Sequence, residues 1–361
     1  KYPELHMLTD ALKTDTIHSI VDATKDNDYG WSIEACQLLK QGLEKDRMTG
    51  KWKRVLKPSF QDESAVLKLW YKIFGKTNSL GIPDKEWPDD SVFMKRISRI
   101  CKNGAIHSRC IDDMETPMII MAFLPQHHID LISKATITLL RKYEIIPDFD
   151  IIAINSKETS NRGKQAIEEA RIKAQYSRKK GVLVLSGRQC SLGVDIPNCD
   201  IVILMNTNTS FDMIYQMMFR AMTEGKNKKC GFVIDLNIHR AVSSIIDYAS
   251  LVKPDIHPKE STRYTLENKL LILNGDHWMP EFGNSLLRID EMSQQVYTTY
   301  LSKASVALEK IMSRLQFKTV LLNNGDQSIF NTLFDSSGSV KRYKEILEQM
   351  KNNLWTILIK I

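Results

Sequence analysis

Gln216 and Arg220 stand four residues apart in SFDMIYQMMFRAMTEG. On a helix that spacing puts an amide and a guanidinium on one face. Ser210 offers an N-cap, Asp212 puts a negative charge in the first turn, and Gly225 offers a stop. A guanidinium keeps its charge and presents a rigid fork of donors, so an arginine held beside a loop-rich edge suits the binding of phosphate. Upstream, Gly193-Val194-Asp195-Ile196-Pro197 forms a polar link between two apolar runs. Gly193 permits close backbone approach, and Asp195 is the kind of residue that caps nearby loop N–H groups. Ser186-Gly187-Arg188 follows the end of another apolar run. There a hydroxyl, backbone N–H groups and a guanidinium could hold a phosphate.

The elements that must position these groups are legible as a pattern. Met118–Leu124 is a continuous apolar run, and Phe149–Ile154, Val182–Leu185, Ile201–Met205 and Cys230–Leu236 are further apolar runs. Such runs suit strands covered on both faces of a parallel sheet. Between them lie a helix whose buried stripe is Ile129, Ile132, Leu139 and Leu140, and a basic amphipathic helix from about Arg162 to Arg178. Strands alternating with helices of this length predict an α/β fold with a parallel sheet and helices on both faces.

The flanks read differently. Residues 1–112 are expected to be a mainly helical segment, with helical spacing over Thr9–Val21, Ile33–Gly42 and Ala65–Phe74. Trp31, Trp52, Trp70, Tyr71 and Phe74 could pave a base-stacking surface, but a small local core is the preferred reading. Residues 251–361 read as a helical C-terminal extension, with periodic stretches over Glu291–Leu315 and Val340–Ile361. The sheet-bearing domain is thus expected over 113–250.

Composition bounds the rest. The chain has 361 residues and a formal net charge of +7, compatible with a nucleic-acid partner without requiring one. Eight basic and three acidic residues between Lys157 and Lys180 could add backbone contacts or simply form a solvated face. The six cysteines are scattered without a CxxC, which makes a reducing intracellular setting the expectation. Cys101, His107 and Cys110 lie close in sequence, but no fourth ligand stands out, so no metal site is expected. No apolar run reaches membrane-spanning length, so no membrane partner is expected. The chain starts at Lys1 and ends in LWTILIKI, which reads as a piece of a longer protein.

Gly193–Pro197 followed by Gln216–Arg220, in that order and spacing, resembles motifs V and VI of superfamily 2 helicases. Residues 117–240 are similar to the second RecA-like domain of that family. The wording QMMFRAMTE and KKCGFVIDLNIHR looks most like the DEAD/SNF2-like helicases of large DNA viruses. The resemblance implies a RecA-like sheet, ATP with Mg2+ as cofactor, and DNA or RNA as partner. It implies that Arg220 is an arginine finger. Gly193, Asp195, Gln216 and the Thr223 position would be nucleotide-side residues. Phe123, Asn155, Lys157, Ser186, Gly187 and Arg188, at strand ends, would line the nucleic-acid edge. Thr223 departs from the family, which commonly has a second arginine there; Lys226 could substitute. The phosphate-binding GxxxxGK[ST] loop and the DEAD or DEAH box are not in this sequence. In the family they belong to a first RecA-like domain, expected upstream in the same protein, so this chain alone is expected to be inactive. The alternative is a degenerate helicase domain that binds nucleic acid or protein without turnover.

Overall fold

A computed structural model describes residues 3–10, 38–46, 48–76, 92–102, 117–155, 163–187, 196, 199–206, 210–225, 228–252 and 258–273. The periodic stretches expected over 291–315 and 340–361 lie outside them.

Five strands fall where the apolar runs place them: β4 (Met118–Phe123), β5 (Phe149–Ile154), β6 (Gly181–Ser186), β7 (Cys199–Leu204) and β8 (Cys230–Asp235). The amino-terminal stretch contributes β1 (Glu4–Asp10), β2 (Leu39–Lys45) and β3 (Trp52–Phe60), and β9 (Leu270–Leu273) comes from beyond residue 250. The main sheet has seven strands in the order β5-β6-β4-β7-β8-β1-β9, and every pairing in it is parallel. Strands β2 and β3 form a separate antiparallel ribbon.

The helices are α1 (Glu63–Phe74), α2 (Phe93–Lys102), α3 (Ile129–Lys142), α4 (Gly163–Tyr176), α5 (Phe211–Met218), α6 (Ile238–Val252) and α7 (Pro258–Lys269). They cover both faces of the sheet, as the strand interiors require. Ile120, Ala122, Leu183, Leu185, Ile201 and Ile203 point to one core, shared with α1, α2 and α3. Ile119, Met121, Val182, Val184, Val202 and Leu204 point to the other, shared with α4, α5, α6 and α7. Period-two alternation within an unbroken apolar run is therefore real, but both alternants are buried. The fold is the expected RecA-like α/β arrangement, a parallel sheet with helices on both faces.

Local chemistry accounts for the ends of the elements. Asp62 caps α1 by accepting the Ala65 N–H at 2.9 Å, with Glu63 in the first turn and Lys72 in the last. Gly75 closes that helix at φ 89°, a conformation in which a side chain would be strained.

The flanks differ from expectation in three places. The stretch 1–112, expected to be mainly helical, contains three strands beside α1 and α2. Thr9 and Asp10 close β1 rather than opening a helix, and Leu39–Gly42 lies in β2. The reason is tertiary. Leu5, Met7 and Leu8 gain two-sided burial between β8 and β9, which local helical spacing does not register. The sheet thus draws on residues well outside 113–250.

Candidate functional site

The carboxyl ends of β4, β5 and β6 meet at one edge, and the expected nucleic-acid residues are brought together there. They are tied to one another. Asn155 accepts the Gly187 N–H at 3.1 Å through Oδ1 and donates through Nδ2 to Ser133 Oγ on α3. The Ser186 hydroxyl is buried and donates to the Ile154 carbonyl at 3.3 Å. Phe123 is fully buried; its carbonyl accepts the Met205 N–H at 2.9 Å. Ser186, Gly187 and Asn155 thus already spend the donors and acceptors that a phosphate was expected to use, and Phe123 underlies the edge instead of lining it. Lys157, Arg188, Gly193 and Asp195 lie outside the described residues. Ile196, from the same loop as Gly193, is buried in the core that α4 and α5 share.

A second knot of buried polar groups joins the ends of β7 and β8, and it was missed in the sequence. Arg240, in the first turns of α6, donates from Nε and Nη2 to the two carboxylate oxygens of Asp235, both at 2.8 Å. Its Nη1 reaches the Asn206 carbonyl and the Asn206 side-chain oxygen, and Nη2 reaches the Leu204 carbonyl at 3.2 Å. Asn237 caps the helix by accepting the Arg240 N–H at 3.1 Å, while Asp235 accepts the Asn237 N–H at 2.9 Å. Both charged side chains are buried, so the ion pair acts in a low-dielectric setting with its lone pairs satisfied. The available signal was the run Asp235-Leu-Asn237-Ile-His-Arg240 at a strand-to-helix turn.

Gln216 lies on α5 as expected, and Ser210 takes its N-cap position with extended backbone. The α-helix ends earlier than Gly225, however. At Phe219 it tightens into a 3₁₀ turn, Phe219–Met222, which carries Arg220. Gly231 on β8 lies against this turn: a Cβ there would collide with the Ala221 carbonyl. The 3₁₀ turn lies flush on the strand, closer than any side chain allows. Lys228 holds the turn's exit, its buried ammonium donating to the Thr223 carbonyl at 2.7 Å and the Cys199 carbonyl at 2.5 Å. Cys199 opens β7 and Gly231 stands near the start of β8. Arg220 and Thr223 therefore sit by the amino-terminal ends of these strands, and the structure does not bring them to the Asn155–Gly187 edge. Arg220 is only 8% exposed, not a side chain projecting into water. The Gln216 Oε1 and Thr223 Oγ1 atoms are buried with no hydrogen-bond partner among the described residues.

What could this arrangement hold? A buried guanidinium is a group of the kind that binds phosphate esters, and the stretch that carries it also holds the buried Gln216 and Thr223 oxygens. Among the described residues no three His, Cys, Asp or Glu side chains converge as metal ligands. No helix among the described residues is long and apolar enough to cross a membrane.

No protein-family profile matches the chain, and no curated protein does. Similar solved structures include the ATP-dependent Type ISP restriction-modification enzyme LlaBIII bound to DNA. It is 14% identical at a TM-score of 0.38, over 93% of this chain and 20% of that one. The C-terminal part of the Fun30 ATPase domain is 12% identical at 0.31, over 83% of this chain and all of that one. Domain 2 of the DEAD-box helicase Mss116p, bound to an RNA duplex, is 13% identical at 0.24, over 58% and 80%. The chain spans a fifth of the length of the first of these.

Proposed function

We propose that this chain supplies the second half of an ATP-driven nucleic-acid motor, a superfamily 2 helicase or translocase acting on DNA or RNA. The observation that carries the reading is positional. On a parallel sheet, the Gly193–Pro197 segment joins β6 to β7, and Gln216 and Arg220 lie on the next crossover, β7 to β8. That is the order in which the motif pattern requires them. The wording QMMFRAMTE and KKCGFVIDLNIHR supports kinship with the DEAD/SNF2-like helicases of large DNA viruses.

In this reading, ATP with Mg2+, bound mainly by a first RecA-like domain upstream, supplies the energy by hydrolysis. Arg220 acts from this side, its guanidinium facing the phosphates when the two domains close. A charge already withdrawn from water needs little reorganisation and interacts more strongly with a developing negative charge than an exposed one. Gln216 and Thr223, with their unsatisfied oxygens, orient ligand hydroxyl or N–H groups beside it. Asp195 and Gly193 complete the nucleotide side, while Lys157 and Arg188 contact the nucleic-acid backbone.

The test is nucleic-acid-stimulated ATPase activity of the full-length protein. Arg220→Ala is expected to lower kcat by ~1000-fold or more, the usual worth of an arginine finger. Arg220→Lys should fail to restore it, because a point charge does not replace the fork. Near-normal stimulated turnover in Arg220→Ala would overturn the assignment. Full-length wild-type protein that binds nucleic acid yet never turns over ATP would instead favour the non-catalytic binding module.

A further inference from the structure

The β2–β3 ribbon carries an apolar and cationic face that stays exposed and that no other described residue covers, and we infer that it is a binding site for single-stranded nucleic acid. The inference rests on the motor reading above and adds a site to it.

Residues directly opposite in an antiparallel pair share a face. Leu39 pairs with Phe60, Gln41 with Leu56, Leu43 with Arg54, and Lys45 with Trp52. The register shifts between Leu39 and Gln41, and outward from the shift period two puts Gln41, Leu43, Lys45, Trp52, Arg54 and Leu56 on one side. The inner end of the ribbon is anchored: Leu39 and Phe60 are buried in the core beneath α1 and α3, and Leu56 packs against it. The outer end runs on past that core. There Leu43 is 62% exposed and Trp52 66% exposed, with Met48 at the tip 93% exposed. Lys45 and Arg54 stand among them, exposed, with no acidic residue on this outer face.

The opposite face is different. Lys53 there is paired with Asp46 at 3.5 Å and stands across from Glu44, and the Lys57 stem lies over Gly42. Acids and bases mix on that side, with Glu44 and Asp46 among Lys40, Lys53 and Lys57, whereas the outer face of Trp52 carries bases alone. The tip is also held in shape. Asp46 accepts the N–H groups of Met48 and Thr49 at 2.9 and 3.0 Å, and Gly50 takes the left-handed conformation at φ 69°. Trp52 is thus presented on a built turn.

A two-stranded ribbon is marginal in water alone, and an exposed indole beside exposed leucine and methionine marks a surface meant for a partner. The uncompensated Lys45 and Arg54 select an anion, and the flat indole face selects something that stacks. Bases inside a duplex have no free face, whereas every base of a single strand does. Cations spaced around an aromatic platform therefore fit one strand, read by backbone charge and stacking without sequence preference.

The test uses the full-length protein without ATP and a fluorescein-labelled oligo(dT) or oligo(U) of about 20 nucleotides, read by anisotropy over a salt series. Trp52→Ala is expected to weaken binding by ~5- to ~150-fold, the loss of one stacked base, and Trp52→Phe to recover most of it. Lys45→Gln with Arg54→Gln should flatten the slope of log affinity against log salt by about 1.4, two phosphate contacts on a single strand. Unchanged affinity in Trp52→Ala, with wild-type protein binding normally, overturns the ribbon site and leaves the motor reading intact. Wild-type protein that binds neither oligonucleotide overturns the ribbon site, while the motor reading is decided by the stimulated ATPase. Sedimentation showing a dimer that Trp52→Ala dissolves, with oligonucleotide binding unchanged, would assign the face to a second copy of the chain and also overturn the proposal. A matching thermal melt for Trp52→Ala shows that the variant folds.

Discussion

Arg220 and Arg240 show what a single residue reveals in sequence and what it conceals. Arg220 stands out because its partner in the pattern, Gln216, is four positions away. Arg240 gathers Asp235, Asn206 and Leu204, of which the last two are 34 and 36 residues distant, so no local spacing announces it. The same distance effect misplaces Ser186. A hydroxyl at a strand end invites a ligand in sequence, yet in the fold the Ile154 carbonyl lies close enough to accept its hydrogen bond. The Arg240 knot has a measurable consequence. Arg240→Met leaves the Asp235 carboxylate buried without its counter-charge, and removing one partner of such a pair typically costs about 3–5 kcal/mol. Urea unfolding of Arg240→Met should show that loss, and adding Asp235→Asn should recover part of it by removing the stranded charge. A loss below ~1 kcal/mol would mean that water reaches the site.

Elements were legible where burial is two-sided and the run is unbroken. The runs at β4, β6, β7 and β8, buried almost throughout, carry their own signal because nearly every residue in them is apolar, whereas half-buried β5 reads mainly from the alternation of strands with helices. The ribbon could not be read this way. Its outer half is mostly exposed, so its alternation is one of charges and single apolar residues, and Trp52 was grouped with aromatics such as Trp70 that are buried. The 3₁₀ turn was hidden for another reason: nothing in FRAM opposes an α-helix, and the turn's contact with Gly231 is a tertiary one. That contact can be tested directly. In Gly231→Ala the new methyl meets backbone, which cannot rotate away, so the turn must lift from the strand. Stability should fall by ~1–3 kcal/mol, as for other overpacked sites. If Arg220 works from this turn, stimulated ATPase should fall further than stability accounts for, with oligonucleotide affinity unchanged. Unaltered unfolding midpoints in Gly231→Ala would show that the turn is not seated on β8.

At the scale of the whole molecule, the sheet is completed by two segments about 260 residues apart, β1 at the start of the chain and β9 after α7. His6 sits at that junction. It lies on β1, its ring 6.0 Å from that of Phe232 on β8, and Glu4 and Lys269 form an ion pair at 2.6 Å beside it. Burial, and then the Lys269 charge, push the His6 imidazole down from its ordinary 6.5 to about 4, against a smaller opposing pull from Glu4. The sign of the consequence follows from proton linkage. Above pH 6.5 the ring is neutral in both folded and unfolded chains, and the stability it permits is fully present. As pH falls, the unfolded chain takes up the proton first, so stability is lost progressively until the folded ring also protonates near pH 4. The loss across that window should be roughly 2–3 kcal/mol. Urea midpoints measured above pH 6.5 and again near pH 5 should therefore drop further in wild-type protein than in His6→Gln, which cannot titrate. Because the proton would enter on β1 beside Lys269, at the turn into β9, hydrogen exchange in Leu270–Leu273 should accelerate with acid before exchange in β4 does. Equal acid losses in wild-type and His6→Gln would place the sensitivity elsewhere, whereas a difference confined to wild-type protein would tie closure of the sheet to this one ring.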